Sequence, residues 1–539
     1  MINILAYIVL AAFVVRTIRN ILYQLFLWQN KEYRLDMLKI YLGTKAGKRI
    51  LFGTLAKLKF ILLAIFIISL LFEVNYLASL VIWIFGLVLI VEAYRNLVEF
   101  LTGFLPMPRF TPKVVVILLF TLLFQLTFVL TSSPRFAMDL MPFLDKLLAL
   151  AIMLQVGALS LPARMRDSLL EFFAFKKMTR LDSIQVIGIT GSYGKSTAKE
   201  LIYELVKNDF KTVKTKKNIN KPVGIAKLIL KEVDNSTQLL ILEAAADKHH
   251  GKNQLQRIAD MLADKLSVAV ITGINQQHLA LFKSKQEIAA VKYSLVSSLN
   301  DKGVAIFKVD NSAMRSLVKR AKSEDIKTIL CGTDKRLFAY AEKIRLSDSD
   351  SQFRMVLGKN KAKIKTKLLG KANVEGIVVA ATVAYQLGVS WSKIRRGIDK
   401  LIVLEPSLRV IKKRNLTLID DTYTANPDGV MSALDYLAIY KETKIFVLNP
   451  LAELGKDSEF VHENIAKYAE KIVDVVILTN DNYNDIFQKA LGKSKGRKIE
   501  VIVRNKNNAK DYIQKHYKGK KVILFEGREA GAVLESYLS

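Results

Sequence analysis

The feature that most constrains this chain is a series of long apolar blocks that fills its first 161 residues. The blocks are Ile2–Val15, Leu55–Phe72, Val74–Val91, Val114–Thr131 and Phe143–Leu161. Most of them approach the roughly 20 residues that a helix needs to cross about 30 Å of hydrocarbon. The first block is shorter because Arg16 and Arg19 follow it. We therefore expect five membrane spans, or four if the first block does not cross, and a buried soluble helical bundle is the alternative.

The charges between the apolar blocks predict how the spans are oriented. Basic residues dominate the connection between the first two blocks, the stretch from Arg95 to Lys113, and the segment that follows Leu161. The other two connections carry few charges. Cytoplasmic loops are enriched in Lys and Arg, so we expect the N-terminus outside and everything after Leu161 in the cytoplasm. Few charges lie within the blocks, whereas ion-coupled transporters carry ionisable residues there.

From Ile184 onward the pattern changes to that of an α/β protein. Short runs rich in β-branched residues alternate with helical patterns, as in parallel sheets that are covered on both faces. The predicted strands are Gln185–Ile189, Leu239–Leu242, Val268–Ile271, Gly303–Phe307, Leu416–Ile419, Lys444–Leu448, Val473–Leu478 and Lys521–Phe525. A boundary is expected near Leu401–Arg409, where Pro406 precedes a new strand. The sequence thus predicts a membrane domain at residues 1–165, a central domain at 180–402 and a C-terminal domain at 403–539.

The composition narrows the choice of ligands. Lys and Arg total 81 and Asp and Glu total 49, so the net charge is +32, which suits anionic partners such as nucleotides or acidic lipids. The basic residues are dispersed and no nucleic-acid-binding module is recognisable, so we expect no nucleic-acid partner. Cys331 is the single cysteine, which excludes an intramolecular disulfide and a metal site built from several cysteines.

The strongest local motif is a glycine-rich turn between a predicted strand and a predicted helix, Ala198–Val206. It reads Gly188-Ile-Thr-Gly191-Ser192-Tyr193-Gly194-Lys195-Ser196-Thr197. In such a turn the backbone N–H groups and the helix N-terminus face a phosphate. Lys195 can then neutralise the β- and γ-phosphates, and the Ser196 hydroxyl can bind Mg²⁺. The common P-loop has a further glycine where this chain has Ile189, so the loop is of a shorter type.

This shorter loop resembles that of the Mur ligase family, the ATP-dependent amide ligases of peptidoglycan precursor synthesis. Further segments carry the resemblance: Lys217-Asn218-Ile-Asn220 resembles the family's substrate segment, Leu242-Glu243-Ala its metal-binding glutamate, Gly273-Ile-Asn275-Gln-Gln-His278 its metal-binding histidine, and Ala-Ala-Val-Lys292 its carbamylated lysine. The resemblance implies that Ser196, Glu243, His278 and Lys292 hold metal ions, that Lys195, His278 and Lys292 are catalytic, and that Asn218 and Asn220 bind substrate. ATP and Mg²⁺ are the implied cofactors, with CO₂ bound to Lys292 as a carbamate.

The resemblance extends into the last third of the chain. Gly370-Lys-Ala372-Asn373 is similar to the family's His-Asn-Val motif, with Ala372 in place of the histidine, and Arg409 matches an arginine that reaches the ATP phosphates. Ile419-Asp420-Asp421-Thr-Tyr423-Thr-Ala-Asn426-Pro427 is most similar to the Mur ligases that add D-alanyl-D-alanine. The resemblance implies that the loop from Gly191 to Thr197, Asn373, Arg409 and Asp421 bind the nucleotide, and that Tyr423 and Asn426 bind substrate. Two places depart from the family: Gly273 stands where an asparagine is usual, and Phe525-Glu526-Gly527-Arg528 stands in place of Lys-Gly-Ser-Arg.

The expected fold class is an α-helical membrane domain, which the apolar blocks predict, followed by α/β domains. The resemblance covers about Ile184–Leu538 and implies that these are a central P-loop domain of Mur ligase type and a Rossmann-like C-terminal domain. The expected activity is an ADP-forming amide ligation through an acyl phosphate, which joins D-alanyl-D-alanine to a UDP-N-acetylmuramoyl peptide. Three alternatives remain: a membrane-bound synthase of the poly-γ-glutamate type that extends a lipid-linked or polymeric acceptor, an ATP-driven transporter, and a degenerate ligase kept as a scaffold. The expected partners are a nucleotide- or lipid-linked peptide and membrane lipids, and the oligomeric state is open.

Overall fold

The computed structural model describes residues 2–43, 45–101, 106–216, 219–249, 252–277, 279, 282, 284–402, 408–423, 426–491, 500–504 and 508–538. The chain forms two compact units, Met1–Asp167 and Ser168–Ser539, which we call the helical unit and the α/β unit. The predicted fold class is confirmed, because apolar helices are followed by two α/β domains. The boundary predicted near Leu401–Arg409 lies in part on residues outside the described ranges.

The helical unit is built from apolar helices. These are α1 (Ile2–Asn30), α2 (Leu35–Gly43), α3 (Lys45–Phe52), α4 (Thr54–Leu71), α5 (Asn75–Leu101), α6 (Pro112–Thr131) and α7 (Pro134–Thr179), of which residues 134–167 belong to this unit. Within the described residues, four stretches are long and apolar enough to cross a membrane: Ile4–Asn30, Gly47–Leu71, Asn75–Leu101 and Pro134–Thr179. The block expected at Val114–Thr131 lies on α6, whose apolar stretch Pro112–Phe128 is shorter. The number of spans and their orientation stay predictions.

Helix α1 does not end after the first apolar block. The expectation that Arg16 and Arg19 stop this block is wrong, because α1 continues through both arginines to Asn30. The charge of Arg16 is neutralised inside the unit: its Nε lies 3.1 Å from Glu92 Oε2 on α5, and its guanidinium also pairs with Asp145 on α7. Charged side chains are tolerated among apolar helices when they are paired. A paired arginine therefore does not terminate an apolar helix.

Arg16 belongs to a buried ionic cluster drawn from α1, α4, α5 and α7. Lys59 Nζ lies 2.9 Å from Glu92 Oε2 and 3.6 Å from Asp145 Oδ2, and Lys146 Nζ lies 3.6 Å from Asp145 Oδ2. The side chain of Asp145 is 1% exposed and that of Lys59 is 4% exposed. Lys59, Asp145 and Lys146 lie within apolar blocks, whereas Arg16 and Glu92 directly follow two of them. The packing of four helices brings these charges together. The cluster therefore joins the four helices at one level.

Among its described residues, the α/β unit contains two large sheets that are covered by helices and a small two-stranded antiparallel sheet. Its strands are β1 (Gln185–Thr190), β2 (Thr212–Lys214), β3 (Leu239–Glu243), β4 (Lys248–His249), β5 (Lys252–Asn253), β6 (Leu266–Ile271), β7 (Val304–Lys308), β8 (Lys327–Gly332), β9 (Ala339–Leu346), β10 (Ser351–Leu357), β11 (Asn360–Thr366), β12 (Arg409–Lys413), β13 (Leu416–Asp421), β14 (Thr443–Leu448), β15 (Val475–Leu478), β16 (Glu500–Val503) and β17 (Lys521–Glu526). Its helices are α8 (Lys195–Val206), α9 (Pro222–Glu232), α10 (Gln254–Met261), α11 (Lys285–Tyr293), α12 (Ser312–Ser323), α13 (Lys371–Gln386), α14 (Trp391–Asp399), α15 (Pro427–Leu437), α16 (Ser458–Ala469), α17 (Asn484–Leu491), α18 (Ala509–His516) and α19 (Arg528–Leu538). Each strand predicted from the sequence is present, with small shifts at its ends.

The central sheet has the strand order β11-β10-β9-β8-β7-β6-β1-β3-β2. Its strands are parallel from β2 to β9, and β10 and β11 continue it as antiparallel strands. The strand β1 pairs with β3 on one side and with β6 on the other. Because parallel strands end at the same edge of a sheet, the segments that follow β1, β3 and β6 meet there. This edge is where ligands bind in open α/β sheets.

The C-terminal sheet has the strand order β12-β13-β17-β14-β15-β16, and all of its pairs are parallel except β12–β13. Two residues of the central domain pack against the core of this second domain, Leu369 within it and Leu346 at its margin. Nearby, Tyr436 Oη donates a 3.2 Å hydrogen bond to the Ser347 carbonyl. An apolar joint therefore connects the central and C-terminal domains beside β9.

Removing Asp145 tests whether the ionic cluster holds the helical unit together. Asp145→Ala leaves Arg16 and Lys59 with one counter-charge fewer in a buried place. Removing one partner of a buried ion pair costs about 3–5 kcal/mol, so we expect a lower unfolding temperature for the full chain in detergent, measured by circular dichroism. The control is Asp167→Ala, because its partner Arg166 is 63% exposed. Equal unfolding temperatures of the two variants would contradict this role.

Candidate functional site

The phosphate loop, Gly191–Gly194, connects β1 to α8 at the carboxyl edge of the central sheet. Gly194 caps α8 with φ 74° and ψ 1°, a left-handed conformation that glycine adopts without strain. Lys195 begins the helix and folds back over the loop, where its Nζ donates a 2.8 Å hydrogen bond to the Gly191 carbonyl. Burial lowers the pKa of Lys195, and Glu243 acts in the opposite direction. The arrangement is that of an anion-binding helix N-terminus.

Glu243, at the carboxyl end of β3, faces the first turn of α8. Ser196 Oγ donates a 2.8 Å hydrogen bond to Glu243 Oε2, and the Glu243 N–H donates a 2.9 Å bond to Thr215 Oγ1. Glu243 is 6% exposed. Hydroxyl and carboxylate oxygens are the ligands that Mg²⁺ takes beside a bound phosphate. The structure thus brings together two of the four predicted metal ligands in a way that fits this ion.

Lys199 is a member of this group that sequence reasoning missed. Its Nζ lies 3.4 Å from Glu243 Oε2 and 3.5 Å from Glu200 Oε1, and the residue is 1% exposed. It follows Lys195 by four positions, so both lysines lie on the same face of α8. From the sequence alone, this four-residue spacing could have indicated that Lys199 lies on the same side of the helix as Lys195. Lys199 therefore places a buried positive charge beside the Glu243 carboxylate.

Lys292 lies on α11 and is 2% exposed. Burial and the neighbouring charge of Lys195 hold the pKa of Lys292 well below its usual range, because both disfavour a second ammonium group. A neutral lysine amine is the form that reacts with CO₂. The other predicted ligand, His278, lies outside the described residues, as does Asn218. Within the part of the chain that the structure describes, no three His, Cys, Asp or Glu side chains form a ready metal cluster.

Asn220 belongs to the segment that the sequence assigns to substrate. The carbonyl of Asn220 accepts a 2.9 Å hydrogen bond from the Ala245 N–H. Ala245 follows Glu243 by two positions, so this contact holds the segment beside the end of β3. The structure therefore places Asn220 next to the Ser196–Glu243 pair.

A cavity of about 290 Å³ lies between the phosphate loop, the start of α13 and the segment that follows β13. Its walls include many of the residues predicted to bind nucleotide or substrate: Tyr193, Gly194, Thr197, Asn373, Asp421, Tyr423 and Asn426. Both α/β domains contribute to these walls. The cavity is therefore closed only when the C-terminal domain lies against the phosphate loop.

Three of the predicted nucleotide-binding residues have structural roles here. Ser192 is 2% exposed, and its N–H donates a 2.8 Å hydrogen bond to the Gly273 carbonyl. Asn373 Nδ2 donates a 2.7 Å bond to the Leu369 carbonyl and so fixes the start of α13. Arg409 forms an ion pair of 2.6 Å with Asp420 Oδ2, and its side chain is 43% exposed. These residues shape the cavity through their neighbours.

A polar network on one cavity wall was not predicted. Lys308 Nζ lies 3.0 Å from Asp310 Oδ2 and 2.7 Å from Glu375 Oε2, and it lies 4.6 Å from the centre of the Tyr193 ring. Tyr193 Oη donates a hydrogen bond to Asp310. Burial raises the pKa of Asp310 to about 7, and the nearby Glu375 and Asp428 act in the same direction. No local sequence motif predicts this network, because its members come from three separate segments of the chain.

The position of Tyr193 explains why Gly273 departs from the family pattern. A Cβ atom on Gly273 would lie 2.3 Å from Tyr193 Cζ, a distance that no packing allows. The tyrosine ring therefore occupies the space that an asparagine side chain at 273 would need. Gly273 therefore fits beside Tyr193, whereas a residue with a side chain at this position does not.

Asp421 and Glu526 form a buried acid pair at the carboxyl edge of the C-terminal sheet. They occupy paired positions on the neighbouring strands β13 and β17, and Glu526 is 0% exposed. Burial raises the pKa of Asp421 to about 7, with Asp420 adding to the effect. Burial, Asp421 and Asp420 together raise the pKa of Glu526 well above its usual range. The raised pKa values of both groups favour a proton bound by the pair, which we call the shared proton.

Two family models match the chain, the Mur ligase middle domain over residues 189–384 and the glutamate ligase domain of Mur ligases over residues 408–528. The chain belongs to the Mur ligase family. Both matches begin after the helical unit, so the family accounts for the α/β unit. The predicted resemblance is confirmed for both of its domains.

Named relatives place the chain near one kind of Mur ligase. The UDP-N-acetylmuramoyl-tripeptide–D-alanyl-D-alanine ligase of Buchnera aphidicola subsp. Baizongia pistaciae is 29% identical over 309 residues, which is 57% of this chain and 63% of that protein. The ligase of the same name from Bacillus subtilis is 29% identical over 285 residues, 52% of this chain and 59% of that protein. The chain therefore spans less than two thirds of the length of these two relatives.

Solved structures share the fold of the α/β unit. MurF from Acinetobacter baumannii has a TM-score of 0.61 and 22% identity over 69% of this chain and 79% of that chain. MurF from Thermotoga maritima, solved in complex with ADP, has a TM-score of 0.59 and 22% identity over 69% of this chain and 83% of that chain. At this identity the likeness establishes the fold, and the chemistry has to be argued from the residues.

Glu526→Gln tests the shared proton of the acid pair. In the folded chain both carboxyl pKa values are raised, so the folded state binds more protons than the unfolded state between about pH 4 and pH 7, and stability falls as the pH rises through this window. The variant removes one acid, so it should lose less stability than the wild type between about pH 5.5 and pH 8, by on the order of 1–3 kcal/mol. Denaturant unfolding at the two pH values measures this difference.

The matched control for this test is Glu529→Gln, an exposed acid on the same segment. It should keep the pH dependence of the wild type. The shared proton would be refuted by a Glu526→Gln variant whose stability changes with pH as steeply as that of the wild type.

Proposed function

We propose that this Mur ligase is an ATP-dependent, ADP-forming amide ligase that adds D-alanyl-D-alanine to a UDP-N-acetylmuramoyl peptide. The observation that carries the proposal is the single cavity that joins the phosphate loop to Asp421, Tyr423 and Asn426 of the C-terminal domain. The two named relatives have this activity in their names. The reaction passes the γ-phosphate of ATP to a substrate carboxylate, and the incoming amine then displaces phosphate from the acyl phosphate to form the amide.

The residues of the phosphate loop account for the first half of this reaction. Lys195 and the N-terminus of α8 offset the negative charge of the ATP phosphates. Ser196 and Glu243 would hold Mg²⁺, which when bound neutralises charge that develops on the transferred phosphoryl group. The neutral amine of Lys292 would take up CO₂ and become an anionic carbamate, which adds an oxygen ligand close to Lys195.

The C-terminal domain accounts for the second half. Asp421 and Tyr423 line the cavity from this domain, so the cavity forms only in the closed arrangement. Closure excludes water, which would otherwise hydrolyse the acyl phosphate before the amine arrives. The amine must lose protons as the amide forms, and a closed site limits where they can go.

A second candidate acceptor is favoured by one observation. Among the residues that the structure describes, four helical stretches that begin in the helical unit are long and apolar enough to cross a membrane. A membrane-held ligase meets a lipid-linked or polymeric acceptor directly. We propose that the helical unit holds the chain in the cell membrane, with the α/β unit on the cytoplasmic side and with membrane lipids as its surroundings. The same chemistry at Lys195 would then extend a poly-γ-glutamate type or lipid-linked acceptor.

Lys195→Ala tests the reaction. The purified full chain in detergent receives Mg-ATP, UDP-N-acetylmuramoyl-tripeptide and D-alanyl-D-alanine, and both ADP and the pentapeptide product are followed by mass spectrometry. We expect coupled formation of both products, and a loss of turnover by about a hundredfold or more in the variant, because an electrostatic group of the transition state is removed.

Lys207→Ala is the matched control, since Lys207 lies just after the other end of α8 and pairs with Glu204 on the surface. It should retain full turnover. Near-normal activity of Lys195→Ala would refute the assignment of this lysine. ADP and product formed only with a lipid-linked or polyglutamate acceptor would transfer the proposal to the second candidate.

The carbamate on Lys292 is tested without measuring turnover. After incubation with ¹³C-bicarbonate, the wild-type chain should show a protein-bound carbamate carbon by ¹³C NMR, because burial and Lys195 lower the pKa of Lys292 and favour its reactive neutral amine. Lys292→Gln should lack the signal, and Lys285→Gln, at the exposed start of the same helix, should keep it. A signal that survives in Lys292→Gln would place the carbamate elsewhere.

A further inference from the structure

Asn275 lies in the loop that follows β6 and touches the phosphate loop directly. Its backbone N–H donates a 3.1 Å hydrogen bond to Ser192 Oγ. Its side-chain Oδ1 accepts a 2.9 Å bond from the Gln277 N–H, which closes a local turn. The residue is 6% exposed. The conformation of this loop is therefore tied both to the phosphate loop and to the segment that runs toward His278.

The remaining atom of the Asn275 side chain reaches the other domain. Asn275 Nδ2 donates a hydrogen bond of 2.5 Å to Asp428 Oδ2 and one of 3.3 Å to Asn426 Oδ1. Asn426 caps α15 and accepts a 3.1 Å bond from the Gly429 N–H, and Asp428 lies in the first turn of the same helix. One amide group thus joins the phosphate loop side of the cavity to the start of α15.

These contacts lie where the separation of the two domains would break them. Leu346 and Leu369 form the apolar joint of the two domains, and apolar contacts of this kind persist over a range of domain orientations because they are non-directional. Hydrogen bonds are directional and break when the partners separate. Asn426 and Asp428 line the cavity, so separation of Asn275 from them opens this wall.

We propose that Asn275 is a positioning residue that latches the C-terminal domain closed over the phosphate loop. The latch couples two events: when the C-terminal domain closes, the loop that carries Asn275 is fixed, and Ser192 in the phosphate loop is held with it. When the domain opens, the loop loses its partners on α15. The consequence for turnover rests on the function proposed above, whereas the coupling of closure to Asn275 does not.

The latch also accounts for Asn426, which the family resemblance assigns to substrate. At the start of α15, the side-chain oxygens of Asn426 and Asp428 both accept hydrogen bonds from Asn275. Asn426 is 5% exposed. Asn426 therefore takes part in closure of the cavity in addition to lining it.

The test exchanges the two polar partners. Asn275→Asp places a carboxylate against that of Asp428, and the repulsion of like charges should open the latch. We expect kcat to fall by about 10- to 100-fold, the factor that corresponds to a hydrogen bond with a charged group, while KM for ATP changes by less than about threefold because the phosphate loop itself is intact. In the double variant Asn275→Asp/Asp428→Asn, the donor and acceptor are exchanged, and kcat should return to within about threefold of the wild type.

Closure is followed separately by energy transfer between dyes on Lys285→Cys and Lys489→Cys, which are exposed positions of the central and C-terminal domains. The native Cys331 is buried and does not compete for the label. Asn275→Asp should change the dye separation and weaken its response to a non-hydrolysable ATP analogue, and the double variant should restore both. This readout needs no ligase product, so it stands even if the proposed acceptors are wrong.

Two outcomes would overturn the latch. One is a dye separation in Asn275→Asp that equals that of the wild type with and without the ATP analogue. The other is a loss of kcat that the double variant does not restore, because a merely local defect in the loop is not repaired by a change on α15. A wild-type chain that closes as described but forms no amide would leave the latch in place and reject the proposed function.

Discussion

The parallel pairing of β1 with β3 and β6 is the constraint on which the site depends. It sets Ile189 beside Glu243 and Thr190 beside Ile271, so the phosphate loop and the segments after β3 and β6 begin at one edge. All five residues of β3 are buried, and a shift of the pairing by one residue would reverse the two faces of the strand. Glu243 would then point away from Ser196. The register of the pairing therefore holds the hydroxyl of Ser196 and the carboxylate of Glu243 within hydrogen-bonding distance.

The sequence predicts those parts of the fold whose cause is local. The strands β3 and β6 were predictable because buried parallel strands are continuous apolar runs. The strand β11 was not, because it reads Asn-Lys-Ala-Lys-Ile-Lys-Thr and only Ile364 and Thr366 are buried. Its register on β10 comes from antiparallel pairing alone. The same distinction holds in the site: the loop around Lys195 is set by a short motif, whereas the approach of Asn275 to Asp428 depends on how two domains pack.

Ion pairs between residues far apart in the chain are the contacts that this sequence predicts least well. Arg16 and Glu92 are 76 positions apart, and nothing in either neighbourhood indicates the other. Considered singly, Arg16 marks the end of an apolar block, and Lys59 marks the basic flank of a span. Considered together, they share two carboxylates in a place of low exposure. A charge inside apolar helices is far more costly when it lacks a partner, so helix boundaries depend on contacts that the sequence does not show.

The departures from the family pattern argue for an altered site in preference to a lost one. A degenerate chain would accumulate changes without regard to one another, and each would leave a gap or an unpaired group. Here the ring of Tyr193 fills the space beside Gly273, and Glu526 is paired in register with Asp421, where burial and the neighbouring acids raise its pKa and favour its neutral form. Ala372 lines the same cavity as Tyr193 and Asp421. The changes therefore surround one cavity while the Lys195 loop and the Ser196–Glu243 pair are retained, which is the distribution expected when the contacts to a bound nucleotide change and the phosphate chemistry does not.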